Sequence, residues 1–328
     1  MMKQNGKKRE KISFVIPCYN STNTIGSVVQ EIKQVMQSDM SQYDYEVVLV
    51  NDGSPDGTTY DAILKLVDSE KHIKGINLAR NFGQPSAVMA ALNHTDGDYV
   101  VCGDDDGQTP FNELPKLFEK IEEGYDLVEA KYAEREKRSL FRRFGTVMNE
   151  GMATWLIAKP PGLELTTYWV VKRFVVDQMI EYPNSYPYLG GLMLRATQNA
   201  CNVDVTHRER LSGSSGYSLK KMIALWLNGF TSFSVKPLRL MSIIGIIVAL
   251  IGFIFGIVTI VRKIVDPTML VGYSSIMTVN LFMFGVLFFF MGLIGEYVGR
   301  IYISLNKAPQ FVVKDYRVSE DLETGKDS

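Results

Sequence analysis

The chain has 328 residues, of which 46% are hydrophobic, and a formal net charge of −1 at pH 7. This length allows one sizeable domain with an appendage, and the balanced charge excludes the global positive field that favours binding to nucleic acid. The three cysteines are widely spaced and lack metal-ligand spacing, which predicts small buried side chains in a reducing compartment.

Short apolar runs alternate with longer amphipathic segments before residue 240. This alternation predicts an α/β domain, because strands that alternate with helices build a mostly parallel sheet with helices on both faces. The predicted strands are Lys11–Cys18, Tyr45–Asn51, Ile73–Leu78, Tyr99–Gly103 and Asp126–Ala130, and the predicted helices are Ser21–Gln37, Thr59–Glu70, Gln84–His94 and Asn112–Glu122.

Acidic residues follow two of the predicted strands. Asp104, Asp105 and Asp106 come directly after the fourth strand, and Asp52 follows the second. The carboxyl ends of parallel strands meet at one edge, so we expect a single cleft there. Carboxylates in such a cleft can hold Mg²⁺ or Mn²⁺ while leaving positions for phosphate oxygens. Taken alone, the acidic run also fits a solvated turn.

Two apolar runs, Leu240–Val261 and Ser274–Gly295, each extend for 22 residues without a charge. A helix of about 20 such residues crosses the hydrocarbon core of a bilayer, so we predict a membrane hairpin; two core helices of a soluble domain are the alternative. Lysine and arginine flank the outer ends of the hairpin more heavily than the short link, which predicts both termini in the cytoplasm.

Three further segments carry a distinctive composition. The basic patch Arg135–Arg143 fits either a solvated helix face or a dock for phosphate or anionic lipid. Leu219–Phe233 combines lysines with aromatic residues, as in a helix lying at a membrane interface, although an ordinary core helix has a similar pattern. The charged tail Asp315–Ser328 is predicted to be disordered.

Six motifs, in order along the chain, resemble those of the family 2 glycosyltransferases with the GT-A fold, and within them the polyprenyl-phosphate glycosyltransferases. That group includes bactoprenol glucosyltransferases, undecaprenyl-phosphate aminoarabinose transferases and, more distantly, dolichol-phosphate mannose synthase. The resemblance covers nearly the whole length. The motifs are Val15–Asn20, Val50–Thr58, Arg80–Gly83, Asp104–Pro110, the set His207, Arg210, Gly213, Ser215 and Tyr217, and Gly295–Tyr302.

The resemblance implies a GT-A-type, mostly parallel, Rossmann-like sheet flanked by helices and followed by a two-helix transmembrane hairpin. It implies a catalytic domain over residues 1–218, interface helices over 219–239, the hairpin over 240–298 and a cytoplasmic tail over 299–328. The expected activity is metal-dependent, inverting transfer of a sugar from a nucleotide-diphosphate sugar, with UDP expected, to undecaprenyl or another polyprenyl phosphate. The expected location is the cytoplasmic face of a bacterial inner membrane.

The resemblance also assigns roles to individual residues. It places Mg²⁺ or Mn²⁺ on Asp104, Asp106 and Gln108. It places the nucleotide on Pro17, Tyr19, Asn20, Asp52, Ser54 and Asp104. It places the acceptor phosphate on Arg138, Arg142, Arg143, Arg210, Ser215 and Tyr217, and catalysis on Asp104, Asp106, Arg210 and Glu164.

One departure from the family pattern concerns the catalytic base. Relatives carry an Asp in the segment that aligns with Leu165–Trp169, whereas this chain has Thr166 there, and Glu164 is the nearest carboxylate. Either Glu164 substitutes through a shifted loop, or no strong base is needed. A phosphate monoester has a second pKa near 6, so the acceptor is already mostly dianionic at neutral pH and needs positioning more than deprotonation.

Alternatives to this activity remain open on sequence alone. A related transferase could use another lipid or a glycan as acceptor, and a catalytically weak membrane scaffold could bind nucleotide sugars without turnover. A processive synthase is disfavoured because two spans cannot enclose a translocation channel. Small residues such as Gly252 and Gly256, spaced four apart, let helix backbones approach closely and predict a homo-oligomer; in the resembling family tetramers occur.

Overall fold

The computed structural model describes residues 9–132, 154, 159–185, 187–206, 208, 236–265, 272–306 and 308–324. The chain divides into two compact units, one formed by residues 1–218 together with 307–328 and the other by residues 219–306. The basic patch Arg135–Arg143 and the predicted interface helix Leu219–Phe233 lie outside the described residues.

The first unit is built on an eight-stranded sheet with the strand order β7-β5-β6-β4-β1-β2-β3-β8. Only β6 and β8 run against the other strands, which confirms the mostly parallel sheet predicted from the sequence. The strands are β1 Lys11–Cys18, β2 Asp44–Asn51, β3 Ile73–Leu78, β4 Tyr99–Cys102, β5 Leu127–Tyr132, β6 Trp169–Lys172, β7 Ala200–Val205 and β8 Val313–Val318.

Helices cover the sheet because each presents an apolar stripe to it. In the first helix, Ile25, Val28, Val29 and Ile32 recur at helical spacing and are buried. A short 3₁₀ turn, Phe111–Glu113, precedes the fourth helix. The helices of this unit are α1 Ile25–Ser38, α2 Thr59–Ser69, α3 Gln84–Leu92, α4 Leu114–Glu122, α5 Arg173–Ile180, α6 Leu189–Ala196 and, after the second unit, α9 Glu320–Thr324.

The strand order reverses between β1 and β4. From β1 the chain adds β2 and then β3 on one side, and β4 then pairs with the other side of β1 in parallel register. In open α/β sheets a crevice forms outside the carboxyl ends of the strands at such a reversal, and ligands bind there. Cys18 and Cys102 close β1 and β4 at this edge, and both are buried and free.

The carboxyl tail departs from the prediction of disorder. Residues Val313–Val318 form β8, which pairs antiparallel with β3 and covers its edge. The Tyr60 hydroxyl donates to Asp315 at 2.9 Å, and the His72 amide donates to Asp321 at 3.0 Å. The prediction was wrong for residues 315–324 because the charged composition indicated only a solvated segment, whereas the unpaired edge of β3 supplies hydrogen-bonding partners that no local pattern shows.

The second unit contains two long helices, α7 Lys236–Val265 and α8 Tyr273–Leu305. They contain the two predicted apolar runs. Among the described residues, one window, Phe282–Gly299 in α8, is long and apolar enough to cross a membrane, and 0% of it is buried. A shorter apolar stretch, Ile243–Phe255, lies in α7. This finding rests on length and composition.

Truncation tests the contribution of β8. Ending the chain after Gln310 removes β8 and α9 and leaves the edge of β3 unpaired. Each net hydrogen bond is worth about 1 kcal/mol, so we expect the free energy of unfolding to fall by a few kcal/mol. Thermal unfolding in mild detergent measures this. A chain ending after Thr324 is the control and should unfold like the full chain; equal midpoints for both truncations would contradict a stabilising role.

Candidate active site at the carboxyl edge of the sheet

Asp52 organises the loop that follows β2. Its side chain is only 3% exposed, and its two carboxylate oxygens accept the amide hydrogens of Phe82 at 2.7 Å and Gly83 at 2.9 Å. Burial raises the pKa of Asp52, while these two hydrogen bonds oppose the rise. The carboxyl group therefore joins the end of β2 to the loop between β3 and α3.

Gly53 permits this close approach. Its φ is +58°, and a Cβ atom built on it would lie 2.3 Å from the carbonyl carbon of Arg80. A side chain at residue 53 would therefore collide with backbone, which cannot move aside without breaking the loop. Arg80 itself lies over the Phe82 ring, with its guanidinium carbon 4.4 Å from the ring centroid.

The predicted nucleotide residues of β1 and β2 meet at the same edge. The Asn20 amide donates to the Ser54 hydroxyl at 3.1 Å, and that hydroxyl donates to Asn51 at 2.6 Å. Tyr19 is 47% exposed, whereas Pro17 is buried in β1 opposite Val50. The structure thus brings Tyr19, Asn20, Asp52 and Ser54 to one edge and places Pro17 inside the sheet.

Asp105 bridges the acidic run to the end of β1. Its carboxylate accepts the Tyr19 amide at 3.0 Å and also the Ser21 hydroxyl. Burial raises the pKa of Asp105, and the nearby charge of Asp106 adds to the rise. The sequence pattern assigns Asp105 no separate role. In the structure, its hydrogen bonds connect the acidic run after β4 to the loop after β1, where the strand order reverses.

Asp104 is held from two sides. Its Oδ1 accepts the Gln84 side-chain amide at 2.9 Å, and its Oδ2 accepts the Thr167 hydroxyl at 2.5 Å. Burial, together with the charges of Asp106 and Asp105, raises the pKa of Asp104 to about 6, while the two hydrogen bonds oppose the rise. Both donors are neutral, so the negative charge is oriented without being balanced by a cationic partner among the described residues.

Gln108 links the acidic run to the segment that leads toward the predicted acceptor loop. Its side-chain amide nitrogen donates to the Arg208 carbonyl at 3.1 Å, and its backbone amide donates to Asp106 at 3.0 Å. The Arg208 guanidinium binds both oxygens of Glu31, at 2.9 and 2.8 Å. The residues that the resemblance assigns to the acceptor phosphate lie outside the described residues. They are Arg138, Arg142, Arg143, Arg210, Ser215 and Tyr217.

Glu164 does not join the acidic run through any described contact. Its side chain is 44% exposed and lies 3.4 Å from the Lys131 ammonium group. A different carboxyl group, that of Glu129 on β5, is fully buried and accepts the Thr166 amide at 2.8 Å and the Thr166 hydroxyl at 3.1 Å. The structure therefore puts a buried carboxyl beside the position where the family pattern has an Asp.

Glu129, Thr167 and Gln84 belong to the site but are not among the residues predicted from the sequence. Glu129 had a visible signal, because it interrupts the apolar strand between Val128 and Ala130. Thr167 and Gln84 had none, since each reaches Asp104 from a distant part of the chain.

The acidic edge fits a divalent cation by charge and by ligand type. Two half-buried carboxyls with raised pKa values, Asp104 and Asp105, lie next to Asp106, and a hard cation prefers carboxylate oxygens. Within the described part of the chain, no three Asp, Glu, His or Cys side chains are arranged to enclose a metal ion. A cation at this edge would be held by one or two of these carboxylates and completed by oxygens of a ligand.

Comparison with known proteins identifies the family. The chain matches the profile of glycosyl transferase family 2 over residues 13–178, which runs from within β1 past β6 and includes the acidic edge, and that of the GtrB C-terminal hairpin over residues 236–301. The chain belongs to glycosyltransferase family 2.

Relatives of this glycosyltransferase extend over its whole length. It is 33% identical over 320 residues to the undecaprenyl-phosphate 4-deoxy-4-formamido-L-arabinose transferases of Yersinia pestis (strain Pestoides F) and Yersinia pseudotuberculosis (serotype O:3, strain YPIII), covering 97% of each chain. A solved structure of glucosyl-3-phosphoglycerate synthase from Mycobacterium tuberculosis with UDP is 20% identical, with a TM-score of 0.49 over 68% of this chain and 78% of the other. A likeness of that size says nothing about donor or acceptor.

Asp52→Asn tests the loop anchor. The asparagine amide would face one of the two backbone N–H groups that Asp52 now accepts, leaving that buried donor unsatisfied at a cost of about 1–3 kcal/mol. We expect a lower thermal unfolding midpoint together with weaker UDP binding. Asp61→Asn, at an exposed residue of α2, is the matched control. Unchanged stability and UDP affinity in Asp52→Asn would contradict the anchoring role.

Glu129→Gln tests the buried carboxyl by its pH dependence. Burial raises the pKa of Glu129 to about 8 from an ordinary value of 4.5. The folded state thus binds this proton more tightly than the unfolded state, and the resulting stability is full below pH 4.5 and is lost as the pH rises to about 8.

We therefore expect the free energy of unfolding of the wild type to fall, relative to that of Glu129→Gln, as the pH rises from 4.5 to about 8. The glutamine side chain does not titrate. Urea unfolding of both proteins at stepped pH measures the difference, in which titrations common to both proteins, including that of Asp104, largely cancel. Parallel pH profiles would show that Glu129 is ionised in the folded protein.

Proposed function

We propose that this glycosyltransferase moves a sugar from a UDP-sugar to undecaprenyl or another polyprenyl phosphate, with inversion, at the cytoplasmic face of a bacterial inner membrane. The observation that carries the proposal is the match over 97% of the chain to transferases named for undecaprenyl phosphate. That match spans both the sheet and the hairpin, so it includes the parts that would serve donor, acceptor and membrane.

The donor nucleotide is assigned to the edge formed by β1 and β2. Tyr19 is exposed there, and the Asn20–Ser54 hydrogen bond fixes the two loops relative to each other. Asp52 is assigned to the wall of the nucleobase pocket. Because it already accepts two backbone amides, its main contribution would be to fix that wall, with its remaining lone pairs available to a base N–H group.

Asp104 and Asp106 are the residues that would hold Mg²⁺ or Mn²⁺, with Gln108 nearby. Such a cation neutralises the charge that builds on a leaving diphosphate. The chain's own part is to orient the carboxylates before the donor arrives: Gln84 and Thr167 hold the two oxygens of Asp104. Fixed acceptors of this kind cost no reorganisation during the reaction.

The acceptor would attack as a phosphate dianion without a strong base. Glu164 lies beside Lys131 and makes no described contact with the acidic run, and Glu129 is fully buried, so neither carboxyl group is proposed as a base. A phosphate monoester with a second pKa near 6 is already mostly deprotonated at pH 7. Of the two readings left open by the sequence, this arrangement favours positioning of the acceptor over its deprotonation.

The helices α7 and α8 are proposed as the membrane hairpin. The apolar window Phe282–Gly299 is long enough to span a bilayer. The sheet contains strands from before the hairpin, such as β7, and from after it, namely β8, so the catalytic unit includes chain on both sides of the hairpin in sequence. The excess of lysine and arginine beside the outer ends of the two helices favours a cytoplasmic location for both ends of the hairpin. Assembly as a homo-oligomer, such as a tetramer, stays a prediction.

A transfer assay tests the proposal. Purified protein is incubated with undecaprenyl phosphate, a panel of labelled UDP-sugars and Mg²⁺ or Mn²⁺. We expect labelled lipid from one donor, loss of product with EDTA, and a rate at least about 100-fold lower in Asp106→Ala, because several kcal/mol of charge stabilisation would be lost. Asp61→Ala, an exposed carboxylate of α2, should transfer at the wild-type rate.

The other outcomes separate the alternatives. Transfer by Asp106→Ala at the wild-type rate would remove Asp106 from the metal site. Product only with a different lipid or a glycan would change the acceptor. Metal-dependent UDP binding without product from any donor would favour a scaffold that binds nucleotide sugars.

A further inference from the structure

A continuous set of hydrogen bonds joins a buried carboxyl on β5 to the acidic edge after β4. Glu129 Oε2 accepts both the amide and the hydroxyl of Thr166, at 2.8 and 3.1 Å. The next residue, Thr167, donates its hydroxyl to Asp104 at 2.5 Å. Two adjacent threonines thus connect two carboxyl groups that lie 25 residues apart along the chain.

The sheet explains why this connection exists. In the register of the sheet, Trp169 of β6 lies opposite Glu129 of β5 on one side and opposite Cys102 of β4 on the other. Because β6 is antiparallel to β4, the Thr166–Thr167 turn enters β6 at the edge where β4 ends. Asp104 follows Cys102 by two residues, so the turn lies between the two carboxyl groups.

Burial of the Glu129 carboxyl group costs free energy of folding. Its side chain is 0% exposed, and its Oε1 has no hydrogen-bond partner among the residues that the structure describes. A buried polar atom without a partner typically costs about 1–3 kcal/mol. An apolar residue would pack in a strand such as β5 without that cost, so stability of the fold alone does not account for a carboxyl group here.

The two bonds to Thr166 indicate what the carboxyl group does. They fix both the backbone and the side chain of that residue, and the single hydroxyl proton of Thr166 has the Tyr168 carbonyl, 3.0 Å away, as an alternative acceptor to Glu129. A turn held at both backbone and side chain has little freedom to rotate. The neighbouring Thr167 hydroxyl is thereby aimed at Asp104.

We infer that Glu129 is a positioning residue: through the Thr166–Thr167 turn it fixes the orientation of the Asp104 carboxylate toward a divalent cation. The inference rests on the proposed function, in which Asp104 holds the metal. Glu129 is not a catalytic residue, because its carboxyl is buried and it acts only through Thr166. Groups that orient a metal ligand typically change metal affinity by about 10–100-fold when they are removed.

The test measures Mn²⁺ binding to the full chain in detergent, from the loss of the free-ion signal in electron paramagnetic resonance, with and without UDP. Thr167→Val removes the donor to Asp104 and should weaken Mn²⁺ binding by about tenfold or more. Glu129→Met removes the oxygen that accepts both Thr166 hydrogen bonds and should weaken Mn²⁺ binding by a smaller factor. The double variant should bind no more weakly than Thr167→Val, because both changes act through the same contact.

Conservative variants separate positioning from general damage. Glu129→Gln keeps an oxygen that accepts both Thr166 bonds, and Thr167→Ser keeps the hydroxyl; both should bind Mn²⁺ within about twofold of wild type, since the contacts are retained. Glu46→Gln is the matched control, because Glu46 is also 0% exposed but pairs with Lys11 and Lys74 near the start of β2. It should lower the unfolding midpoint without altering Mn²⁺ affinity.

Each outcome decides between the two proposals. Wild-type Mn²⁺ affinity in Glu129→Met, together with weak binding in Asp104→Asn, would overturn the positioning role and leave the metal site intact. Additive losses in the double variant would overturn the shared route through Thr167. A wild-type chain that binds no Mn²⁺, even with UDP, would overturn the metal role of Asp104 and the positioning role with it. If Glu129→Met does not fold, full Mn²⁺ affinity in Thr167→Val would overturn the inference.

Discussion

The central constraint in this protein is the burial of carboxyl groups at the carboxyl edge of a parallel sheet. Asp52, Asp104 and Asp105 all have raised pKa values because burial disfavours their charged forms. For Asp52 and Asp104, the described hydrogen bonds come from backbone amides, an amide side chain and a hydroxyl rather than from cations. The edge therefore keeps negative charge that is oriented but not neutralised, which is the condition a cation-binding site requires.

The surrounding loops are organised around these carboxyl groups. Asp52 ties the end of β2 to the loop before α3, and Asp105 ties the acidic run to the loop after β1. Each bond joins segments that follow different strands, so the four loops after β1 to β4 are tied together in two pairs, and the Asn20–Ser54 hydrogen bond links the loop after β1 to the loop after β2. Ligand sites in open α/β folds lie where such loops diverge. In this protein, hydrogen bonds to the carboxyl groups connect those loops.

The two antiparallel strands have distinct consequences. Strand β6 brings the Thr166–Thr167 turn back to the acidic edge, which a parallel strand could not do because its entry would lie at the opposite edge. Strand β8 covers the free edge of β3 after the chain has passed through the second unit. An exposed strand edge invites pairing with other chains, so β8 both closes the sheet and anchors the residues that follow the hairpin.

Local pattern determined much of this protein. The first five strands follow from short apolar runs, four helices follow from apolar residues at helical spacing, and the position of Asp52 and Asp104 after strands follows from chain order. Helix boundaries shifted by a few residues; the first helix begins at Ile25 rather than Ser21, because the preceding residues form a turn. These features depend on neighbours in sequence, and a sequence records such neighbours directly.

Tertiary structure decided what depends on distant residues. Several contacts join segments that lie tens to hundreds of residues apart. Asp105 accepts hydrogen bonds from Tyr19 and Ser21, and Asp104 accepts them from Gln84 and Thr167. The tail pairs with β3 as β8. Glu129 shows the difference most clearly. The sequence alone determined that a carboxyl group lies in an apolar strand, but only the packing of β5, β6 and β4 decided that it lies beside Thr166, because strand register is fixed by the whole sheet rather than by any one strand.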